Sequence, residues 1–554
     1  MKIVIVGGVA GGATAAARLR RLSEDAEIIV IERGEYISFA NCGLPYHIGG
    51  TIESREELLL ETPESFLKKI NVEVRNHTEA LSIDRENKKI LVRDRKNMED
   101  YNLDYDYLIL SPGANPFVPP VEGFDKEGVK TLRNVNDMDK IINYIEENEV
   151  KNAVVAGGGF IGVEMAENLT ERGIRVSLIE TADQIMNTVD FEIASIIQNH
   201  MKEHGVNLIM GNAIEKIEGD KEFIVKLSNH KEIKTELVIL SIGVRGEIKL
   251  AIEAGLKIGR KGITVDRHMR TSDKNIFAIG DAVEIQHLIS GEKTNIPLAA
   301  PANKQARIVA NNIIKNNSEE YKGSIGTSIA KVFEMAIGST GLNEKQLQAM
   351  GIDYISSITN SKNHAGYYPG ASLLTTKLLF KKDGKILGGQ VVGKNGVDKR
   401  IDVLATAISG NMTVSDLTDI DFAYAPPFGS AKDPLNVAGY VGENILNGEI
   451  ETIEWNELED LENFVLIDVR NRDEINEKNI IGLKNEINIP FPKLREKLDT
   501  LDKNKTYITY CTLGMRGYFA YRILKLNGFK VKNLNGGFTV YANAKKAEIM
   551  LKNS

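Results

Sequence analysis

Two cysteines are the residues of this chain best suited to redox chemistry, and each lies in a distinctive local sequence. Cys42 lies in the segment SFANCGLPY (38–46), and Cys511 opens the segment CTLGMRG (511–517). Neither has a cysteine nearby with which it could close a local disulfide. We therefore expect an external thiol or another sulfur compound to be the reaction partner at each site.

The bulk composition is that of an ordinary globular protein. A length of 554 residues suggests about three to four domains. The net charge of -8, without a long basic run, argues against nucleic acid as a partner. No apolar run approaches the ~18 residues of a membrane span, and a strand begins directly at Lys2, so we predict neither a span nor a signal peptide. Two unpaired thiols favour the reducing cytoplasm.

Strand and helix patterns alternate along the first half of the chain, which predicts parallel sheets covered by helices. The first unit has a strand at Lys2–Val6, a glycine-rich turn, a helix at Gly12–Leu22 and a strand at Glu27–Glu32. The second repeats this order with a strand at Asn152–Ala156, a glycine-rich turn, a helix ending at Arg172 and a strand at Arg175–Glu180. The chain is therefore expected to contain two dinucleotide folds.

The pattern changes beyond residue 323. Strand patterns at Lys377–Phe380 and Leu387–Val392, followed by a helical pattern at Asp398–Ser409, predict a separate α+β domain. The acidic stretch Asn447–Glu462 is interpreted as a tether that allows movement, and it leads into a last compact unit from about Trp455.

The second glycine-rich turn has the full spacing of a dinucleotide site, with Gly157, Gly159 and Gly162. Glycines there let the backbone approach a pyrophosphate, which lies at the positive end of the following helix. Glu180, at the end of the next strand, is placed to accept from a ribose 2′-OH and to repel a 2′-phosphate, which favours NADH. A tight turn without a ligand is the alternative.

The first turn, GGVAGG (7–12), has Val9 where the middle glycine of the pattern belongs. Gly8 and Gly11 must then allow the close approach, while Glu32 closes the following strand at the distance expected for a ribose. A later segment, TSDKNIFAIGD (271–281), ends in Asp281, whose carboxylate could bind a ribityl hydroxyl of a flavin or cap a helix.

These motifs together resemble the pyridine nucleotide–disulfide oxidoreductase superfamily, as does LILSPGA (108–114) between the two dinucleotide folds. The segment around Cys42 resembles the single-cysteine branch, which contains coenzyme A-disulfide reductases, with NADH oxidases and peroxidases as relatives. The segments PANKQ (301–305), HAGYYPG (364–370) and YAPP (424–427) extend the resemblance over roughly residues 1–445.

The resemblance implies that Cys42 is the redox thiol. A helix that opens at this cysteine, with polar neighbours, would lower its pKa. The alternative is a buried structural cysteine. In the resembling reductases, tyrosines of the partner subunit reach this sulfur, and Tyr424 with Tyr367 or Tyr368 match those motifs. Aromatic packing at a dimer interface is the other interpretation of these tyrosines.

The last hundred residues resemble a rhodanese domain. The resemblance rests on LIDVR (466–470), INIP (487–490) and the Cys511 loop, which lies between a strand at Tyr507–Tyr510 and a helix at Arg516–Leu526. Backbone N–H groups of such a loop stabilise a thiolate or persulfide anion, and Arg516 adds a full positive charge. A catalytically inert, partner-binding domain is the alternative.

The expected fold is therefore α/β. It has two nested Rossmann-like dinucleotide-binding domains, an α+β dimerisation domain and a C-terminal rhodanese-like α/β domain. The boundaries are 1–112 with 245–322 for FAD, 113–244 for NAD(P)H, 323–446 for dimerisation and 455–554 for the rhodanese domain. The expected cofactors are FAD and NAD(P)H, with NADH favoured. Coenzyme A and small sulfur species are the expected partners of a cytoplasmic homodimer.

The candidate site residues fall into three groups, and no metal ligand is assigned. The catalytic candidates are Cys42, Tyr367, Tyr368, Tyr424, Cys511 and Arg516. The cofactor-binding candidates are Gly7, Gly8, Val9, Ala10, Gly11, Gly12, Glu32, Arg33, Asn41, Cys42, Ser111, Pro112, Gly113, Gly157, Gly159, Phe160, Ile161, Gly162, Glu180, Gly243, Gly280, Asp281, Pro297, Ala299 and Ala302. The substrate-binding candidates, of which the cations Arg18, Arg21 and Lys432 suit the phosphates of coenzyme A, are Thr14, Arg18, Arg21, Ser38, Asn41, Asn303 and Lys432.

The sequence predicts a flavoprotein that uses NAD(P)H to cleave coenzyme A disulfide, coenzyme A persulfide or polysulfide through a mixed disulfide at Cys42, with sulfur transfer at Cys511. Fusion to a sulfur carrier favours persulfide and polysulfide over plain disulfide. One alternative is an NADH oxidase or peroxidase that uses a Cys42 sulfenic acid. A redox-responsive binding protein is the alternative outside enzymes.

Overall fold

The structure is a computed structural model that describes residues 1–316, 319–459, 461–476 and 479–553. The chain divides into two compact units, Met1–Leu178 with Ile214–Ser324, and Ile179–Ala213 with Ile325–Ser554. Within the described ranges, no helix is both long enough and apolar enough to cross a membrane.

A parallel five-stranded sheet forms the centre of the first unit. Its strand order is Ile276–Ala278, Tyr107–Leu110, Lys2–Val6, Glu27–Ile31 and Glu73–Arg75. The apolar residues of these strands are almost completely buried, as expected for a sheet covered on both faces. Because all five strands run in one direction, the turns that follow them lie at one edge of the sheet.

The second dinucleotide fold has the same construction. The strands Val129–Thr131 and Asn152–Ala156 pair in parallel with Leu237–Leu240, which lies between them. The helix Phe160–Glu171 follows the glycine-rich turn and leads to the strand Arg175–Ile179.

The remaining elements of the first unit are short strands and helices. The strands are Ile37–Phe39, Leu59–Glu61, Thr78–Asp84, Lys89–Asp94, Glu99–Asp104, Ala114–Pro116, Ile214–Glu218, Phe223–Leu227, Glu232–Thr235, Val244–Gly246, Ile263–Thr264, Val283–Gln286 and Lys293–Thr294. The helices are Ala10–Leu22, Leu44–Ile48, Pro63–Ile70, Val135–Glu147, Lys249–Glu253 and Ala299–Lys315.

The second unit contains the helix Phe191–Glu203, the strand Asn207–Ile209 and an antiparallel five-stranded sheet. The strand order of this sheet is Ser328–Val332, Met335–Gly341, Ile386–Gly393, Leu373–Phe380 and Ile355–Lys362. Its helices are Glu344–Ala349, Val397–Ser409, Asp416–Asp419 and Pro434–Leu446. The two predicted strands are present, but each begins before its predicted first residue.

The C-terminal part of this unit is a parallel sheet with two long helices. The strand order is Thr452–Ile453, Lys530–Leu534, Thr506–Tyr510, Phe464–Asp468 and Glu486–Asn488, and the helices are Met515–Leu526 and Gly537–Asn553. The prediction of a loose acidic tether is wrong for Thr452–Ile453, because this segment is an edge strand of the sheet. Within that stretch, Asp460 lies outside the described residues.

A buried ammonium group explains why the end of the acidic stretch is held in place. Lys377 is almost inaccessible, and its Nζ is 2.9 Å from Asp190, 3.1 Å from Glu344 and also bonded to Glu192. Glu454 adds its negative charge to this cluster and accepts a hydrogen bond of 2.8 Å from Asn535. Burial raises the pKa of Glu454 to about 7.

Candidate active site

The residues predicted to hold FAD meet at the carboxyl edge of the first parallel sheet. Gly7, Ser111 and Gly280 follow three neighbouring strands of that sheet. Gly7 has a φ of 99°, and a Cβ at Gly12 would lie 1.8 Å from the Gly7 carbonyl oxygen, so this strand–helix approach needs glycine at both positions. Such an edge is where open α/β sheets bind their ligands.

Glu32 is fixed at the same edge. One of its carboxylate oxygens accepts a hydrogen bond of 2.8 Å from the Gly8 N–H, and the other accepts one of 2.8 Å from the Gly34 N–H. Val9, which replaces the middle glycine, precedes the helix with φ -101°, a conformation that needs no glycine. The unusual turn is therefore compatible with a bound dinucleotide.

Both glycine-rich turns lead into helices whose first N–H groups donate no hydrogen bond to a capping side chain. The Ala10–Leu22 helix begins after Val9, and the Phe160–Glu171 helix begins after Gly159. A Cβ at Gly159 would meet no protein atom within 4 Å. An uncapped helix start fits a pyrophosphate, so both turns suit a dinucleotide, and at Gly159 there is also open space for its approach.

The remaining cofactor candidates surround these turns. Gly280 donates its N–H to Gln305 at 2.7 Å, and a guanidinium nitrogen of Arg33 donates to Asn115 at 2.9 Å. Arg133, which the sequence analysis missed, donates to the Pro112 carbonyl at 3.2 Å and carries a positive charge close to Asp281. Burial raises the pKa of Asp281, whereas Arg133 lowers it.

The other predicted cofactor residues occupy turns and helix starts. In the first unit these are Ala10, Gly11, Asn41, Gly113, Gly157, Phe160, Ile161, Gly162, Gly243, Pro297, Ala299 and Ala302. Glu180 belongs to the second unit, where its carboxylate accepts a hydrogen bond of 2.8 Å from the Ala182 N–H.

Cys42 lies in a single 3₁₀ turn, Asn41–Gly43, that leads into the five-residue helix Leu44–Ile48. Its side chain is exposed, and its Sγ is 3.8 Å from the Asn41 side-chain oxygen. The prediction that the surroundings lower the pKa of Cys42 is wrong for the protein without bound cofactors. Partial desolvation by the surrounding protein raises the pKa of Cys42, and the carboxylates of Glu164 and Asp281 raise it further.

Glu164 is a functional candidate that the sequence analysis missed. It lies on the Phe160–Glu171 helix, and the Tyr46 hydroxyl donates to it at 3.3 Å. Burial, with a smaller contribution from the charge of Glu167, raises the pKa of Glu164 to about 7. Its position five residues after Gly159 was the only available signal. Glu164 can therefore take up or release a proton near neutral pH beside Cys42.

Two predicted substrate residues contact each other in the first unit. The Thr14 hydroxyl donates to the Asn303 side-chain oxygen at 2.8 Å, and Arg18 donates to Asn311 at 2.9 Å. Ser38 has a φ of 44°, a left-handed conformation that is uncommon outside glycine. Arg21 is exposed at the end of its helix.

The predicted tyrosines lie in the second unit and form an exposed aromatic patch. The Tyr367 and Tyr424 hydroxyls are 3.0 Å apart, and their side chains are 77% and 49% exposed. The hydrogen bond with Tyr424 raises the pKa of Tyr367. Tyr368 instead packs edge-on against His364, with ring centroids 5.7 Å apart. Lys432 is also exposed in this unit.

Cys511 lies between the strand Thr506–Tyr510 and the helix Met515–Leu526, as predicted. The residue is only 2% exposed, and its Sγ accepts a hydrogen bond of 3.2 Å from the Gly514 N–H. The Gly537 backbone closes the other side of the loop, since a Cβ there would lie 2.7 Å from the Cys511 carbonyl oxygen and 2.8 Å from the Gly514 nitrogen.

Arg516 does not present a free charge to this loop. Its two terminal nitrogens each donate to a carboxylate oxygen of Glu474 at 2.6 Å. This pairing lowers the pKa of Glu474 to about 2. The Cys511 sulfur also contributes to the raised pKa of Arg516. Glu474 is thus a part of the site that sequence reasoning missed.

Comparison with known proteins assigns the family. A model described as "Pyridine nucleotide-disulphide oxidoreductase" matches residues 1–306, and its dimerisation domain matches 327–434. A rhodanese-like domain matches 454–544. The chain belongs to the pyridine nucleotide–disulfide oxidoreductase family, whose members use FAD and NAD(P)H, and it carries a C-terminal rhodanese-like domain. The predicted fold class is confirmed.

Similar proteins include several reductases of sulfur compounds. The coenzyme A disulfide reductase of Staphylococcus aureus is 36% identical over 79% of this chain and 99% of its own. The reduced CoADR-RHD of Bacillus anthracis has a TM-score of 0.96 and 48% identity over 98% of both chains. An NAD-dependent persulfide reductase from A. fulgidus has a TM-score of 0.92 and 40% identity over 98% of this chain and 100% of its own. The chain is therefore an oxidoreductase with homologues that reduce coenzyme A disulfide and persulfide.

Proposed function

We propose that this protein uses NADH to reduce coenzyme A disulfide, coenzyme A persulfide or polysulfide at Cys42 and transfers sulfur at Cys511. The observation that carries the proposal is that the chain holds an exposed single thiol, Cys42, and also a second thiol, Cys511, whose sulfur accepts a backbone N–H in a strand–helix loop. Two relatives, one named a coenzyme A disulfide reductase and one an NAD-dependent persulfide reductase, support the choice of sulfur substrates.

The reaction at Cys42 begins with the thiolate. It attacks one sulfur of the substrate disulfide, a bond forms between Cys42 and that sulfur, and the other half leaves as a thiolate. FAD, if held by the turn at Gly7–Gly12 with Glu32 and Asp281, would supply the two electrons that originate from NADH. Two electrons and a proton then return Cys42 to its reduced state and release the second thiol. With a persulfide as substrate, the products are a thiol and hydrogen sulfide.

The protonation state of Glu164 affects how readily Cys42 forms a thiolate. The ionised carboxylate raises the pKa of the thiol, so protonation of Glu164 removes a charge that opposes the thiolate. Because burial raises the pKa of Glu164 to about 7, this carboxylate accepts a proton at physiological pH. A protonated Glu164 therefore favours the thiolate that begins the first step.

The exposed tyrosines suit the second step and a dimer. In the proposal, Tyr424 and Tyr367 reach Cys42 of a partner subunit, and one hydroxyl protonates the departing thiolate. Their mutual hydrogen bond of 3.0 Å supports Tyr367 over Tyr368 as the partner of Tyr424. The cations Arg18, Arg21 and Lys432 are proposed to bind coenzyme A phosphates.

Glu180 motivates the choice of NADH, because a carboxylate at this point of the fold repels a 2′-phosphate. The ratio of kcat/KM for NADH and NADPH tests this choice, and an equal or higher value for NADPH would reject it.

A second candidate is an NADH oxidase that cycles Cys42 through a sulfenic acid. A protein named NADH oxidase from Methanocaldococcus jannaschii is 35% identical over 79% of this chain and 98% of its own. The exposure of Cys42 favours access by a peroxide. This activity needs no Cys511, so it leaves the second thiol unexplained.

Stopped-flow mixing separates these candidates. The NADH-reduced protein is mixed with coenzyme A disulfide, coenzyme A persulfide, polysulfide or oxygen. The proposal predicts faster reoxidation by the sulfur acceptors than by oxygen. It also predicts loss of the fast reaction in Cys42→Ser. The proposal would be rejected if oxygen reoxidised the protein fastest and the sulfur acceptors did not increase the rate of reoxidation.

A further inference from the structure

Two histidines and a glutamate converge in the second unit, away from both cysteines in sequence. His200 lies in the last turn of the Phe191–Glu203 helix. His204 is the residue directly after that helix, one turn beyond His200. Both imidazole Nε2 atoms face the same Glu334 carboxylate oxygen, at 3.0 Å from His200 and 3.1 Å from His204. Glu334 lies in the tight turn between the strands Ser328–Val332 and Met335–Gly341.

The hydrogen bonding of His204 fixes which of its nitrogens can act as a ligand. Its Nδ1 is 2.9 Å from the His200 carbonyl oxygen, which only accepts hydrogen bonds. Nδ1 therefore carries the proton, and in the neutral ring Nε2 presents a lone pair to the carboxylate. His200 Nε2 is buried and makes no well-directed hydrogen bond there. A cation among these atoms, either a metal ion or the proton of an imidazolium whose Nε2 donates to Glu334, removes the repulsion between such lone pairs.

The turn that carries Glu334 is held in a strained conformation. Phe333 has a φ of 52°, which is rare for an aromatic residue. Its ring stacks on His204 with centroids 4.2 Å apart and an interplanar angle of 15°. Strain of this kind costs roughly 1–3 kcal/mol and occurs mostly at functional sites. Here the turn places the Phe333 ring against the His204 imidazole and the Glu334 carboxylate beside both imidazoles.

We propose that His200, His204 and Glu334 bind a divalent transition-metal ion of the zinc type. Two imidazole nitrogens and one carboxylate oxygen are ligands that Zn²⁺ prefers, and water completes a tetrahedron. With zinc bonds of about 2.0–2.2 Å, ligand atoms in a tetrahedron stand roughly 3.3–3.6 Å apart. The separations of 3.0 and 3.1 Å need only a small outward movement of Glu334, whose side chain is largely exposed.

The proposed role is binding and not hydrolysis. In one class of zinc peptidases the spacing His-x-x-Glu-His supplies two ligands and a general base. Here the intervening Glu203 pairs with Lys546 at 3.1 Å. The same helix bonds to the C-terminal helix through Asn199 and Asn543 at 2.9 Å. A metal at the histidines would therefore stabilise the helix on which the C-terminal helix packs.

The test is calorimetric titration of the untagged, FAD-loaded chain with Zn²⁺. Both thiols are replaced in this background (Cys42→Ser, Cys511→Ser) so that they do not bind the metal. We expect one Zn²⁺ per chain, and we expect the dissociation constant to rise at least about tenfold in His204→Gln and in Glu334→Gln. Titration with Co²⁺ should give the visible absorption of a tetrahedral site, lost in the same variants.

Glu203→Gln is the matched control, because it removes a carboxylate from the same helix and leaves the three ligands intact. It should bind Zn²⁺ as the parent does. Because Glu334 lies in an exposed turn, its variant tests the proposal even where His204→Gln does not fold. Absence of stoichiometric binding, or equal affinity in Glu334→Gln and Glu203→Gln, would overturn the proposal and leave the cluster as an ion pair only.

Discussion

Gly537→Ala is expected to impair sulfur transfer without touching a reacting atom. The new Cβ would lie 2.7 Å from the Cys511 carbonyl oxygen and 2.8 Å from the Gly514 nitrogen. Both are backbone atoms, so the loop must open. The N–H of Gly514, which donates to Cys511 Sγ at 3.2 Å, then moves away from the sulfur.

The size of the effect follows from that hydrogen bond. A hydrogen bond to a charged group contributes about 1.5–3 kcal/mol. Its loss from an anionic sulfur corresponds to roughly a 10- to 150-fold slower reaction. Gly537 also has a φ of 65°, so alanine adds backbone strain of roughly 1–2 kcal/mol to the folded state.

Gly528→Ala separates the clash from the strain. Gly528 has a φ of 82°, and a Cβ there meets nothing within 4 Å. Both variants are assayed for sulfur transfer from thiosulfate to cyanide and for NADH-dependent reduction of coenzyme A disulfide. Only Gly537→Ala should lose sulfur transfer, and neither should lose disulfide reduction. Equal sulfur transfer in the two variants would refute the reasoning.

Three further variants test other parts of the account. Glu164→Gln removes a charge that raises the pKa of Cys42, so iodoacetamide should alkylate the thiol at lower pH than in the wild type. The control Glu171→Gln should behave as the wild type does. An unchanged pH profile of alkylation in Glu164→Gln would contradict this. Folding raises the pKa of Glu454 from 4.5 to about 7. The free energy of unfolding should therefore fall by up to about 3 kcal/mol as the pH rises from 4.5 to 7, because the folded state must give up a proton that the unfolded state has already lost. Thermal unfolding of Glu454→Gln should therefore depend less on pH between 4.5 and 7, and an equal dependence would speak against it. Tyr424→Phe should slow reoxidation by coenzyme A disulfide about tenfold or more and spare reduction by NADH; slowing of both steps alike would argue for a packing role.

Much of the fold was predictable because local patterns repeat. The glycine-rich turns of both dinucleotide folds and the alternation of strand and helix predicted the parallel sheets. The predicted helix at Gly12–Leu22 begins two residues earlier in the structure, at Ala10. Glycines at close backbone contacts, such as Gly12, could be assigned from the sequence, because the strand–helix turn leaves no space for a Cβ at that position.

The electrostatic surroundings of the thiols were not predictable. The pKa of Cys42 depends on Glu164, which lies over a hundred residues away in the chain. Arg516 looked like a free cation, but Glu474, in a distant turn, neutralises it. The acidic stretch looked mobile, yet Glu454 lies beside the buried ammonium of Lys377. Such partners meet only through tertiary packing.

The most direct test of the central claim is the mass of the protein after reaction with coenzyme A disulfide. The chain is reduced with NADH, freed of excess nucleotide, treated anaerobically with an excess of the disulfide until the electrons stored on the protein are used up, and digested without a reducing agent. One coenzyme A moiety per chain is expected in a mixed disulfide on the Cys42 peptide, and none on the corresponding peptide of Cys42→Ser. Modification of Cys511 alone, or an unmodified Cys42 with the disulfide consumed, would contradict it.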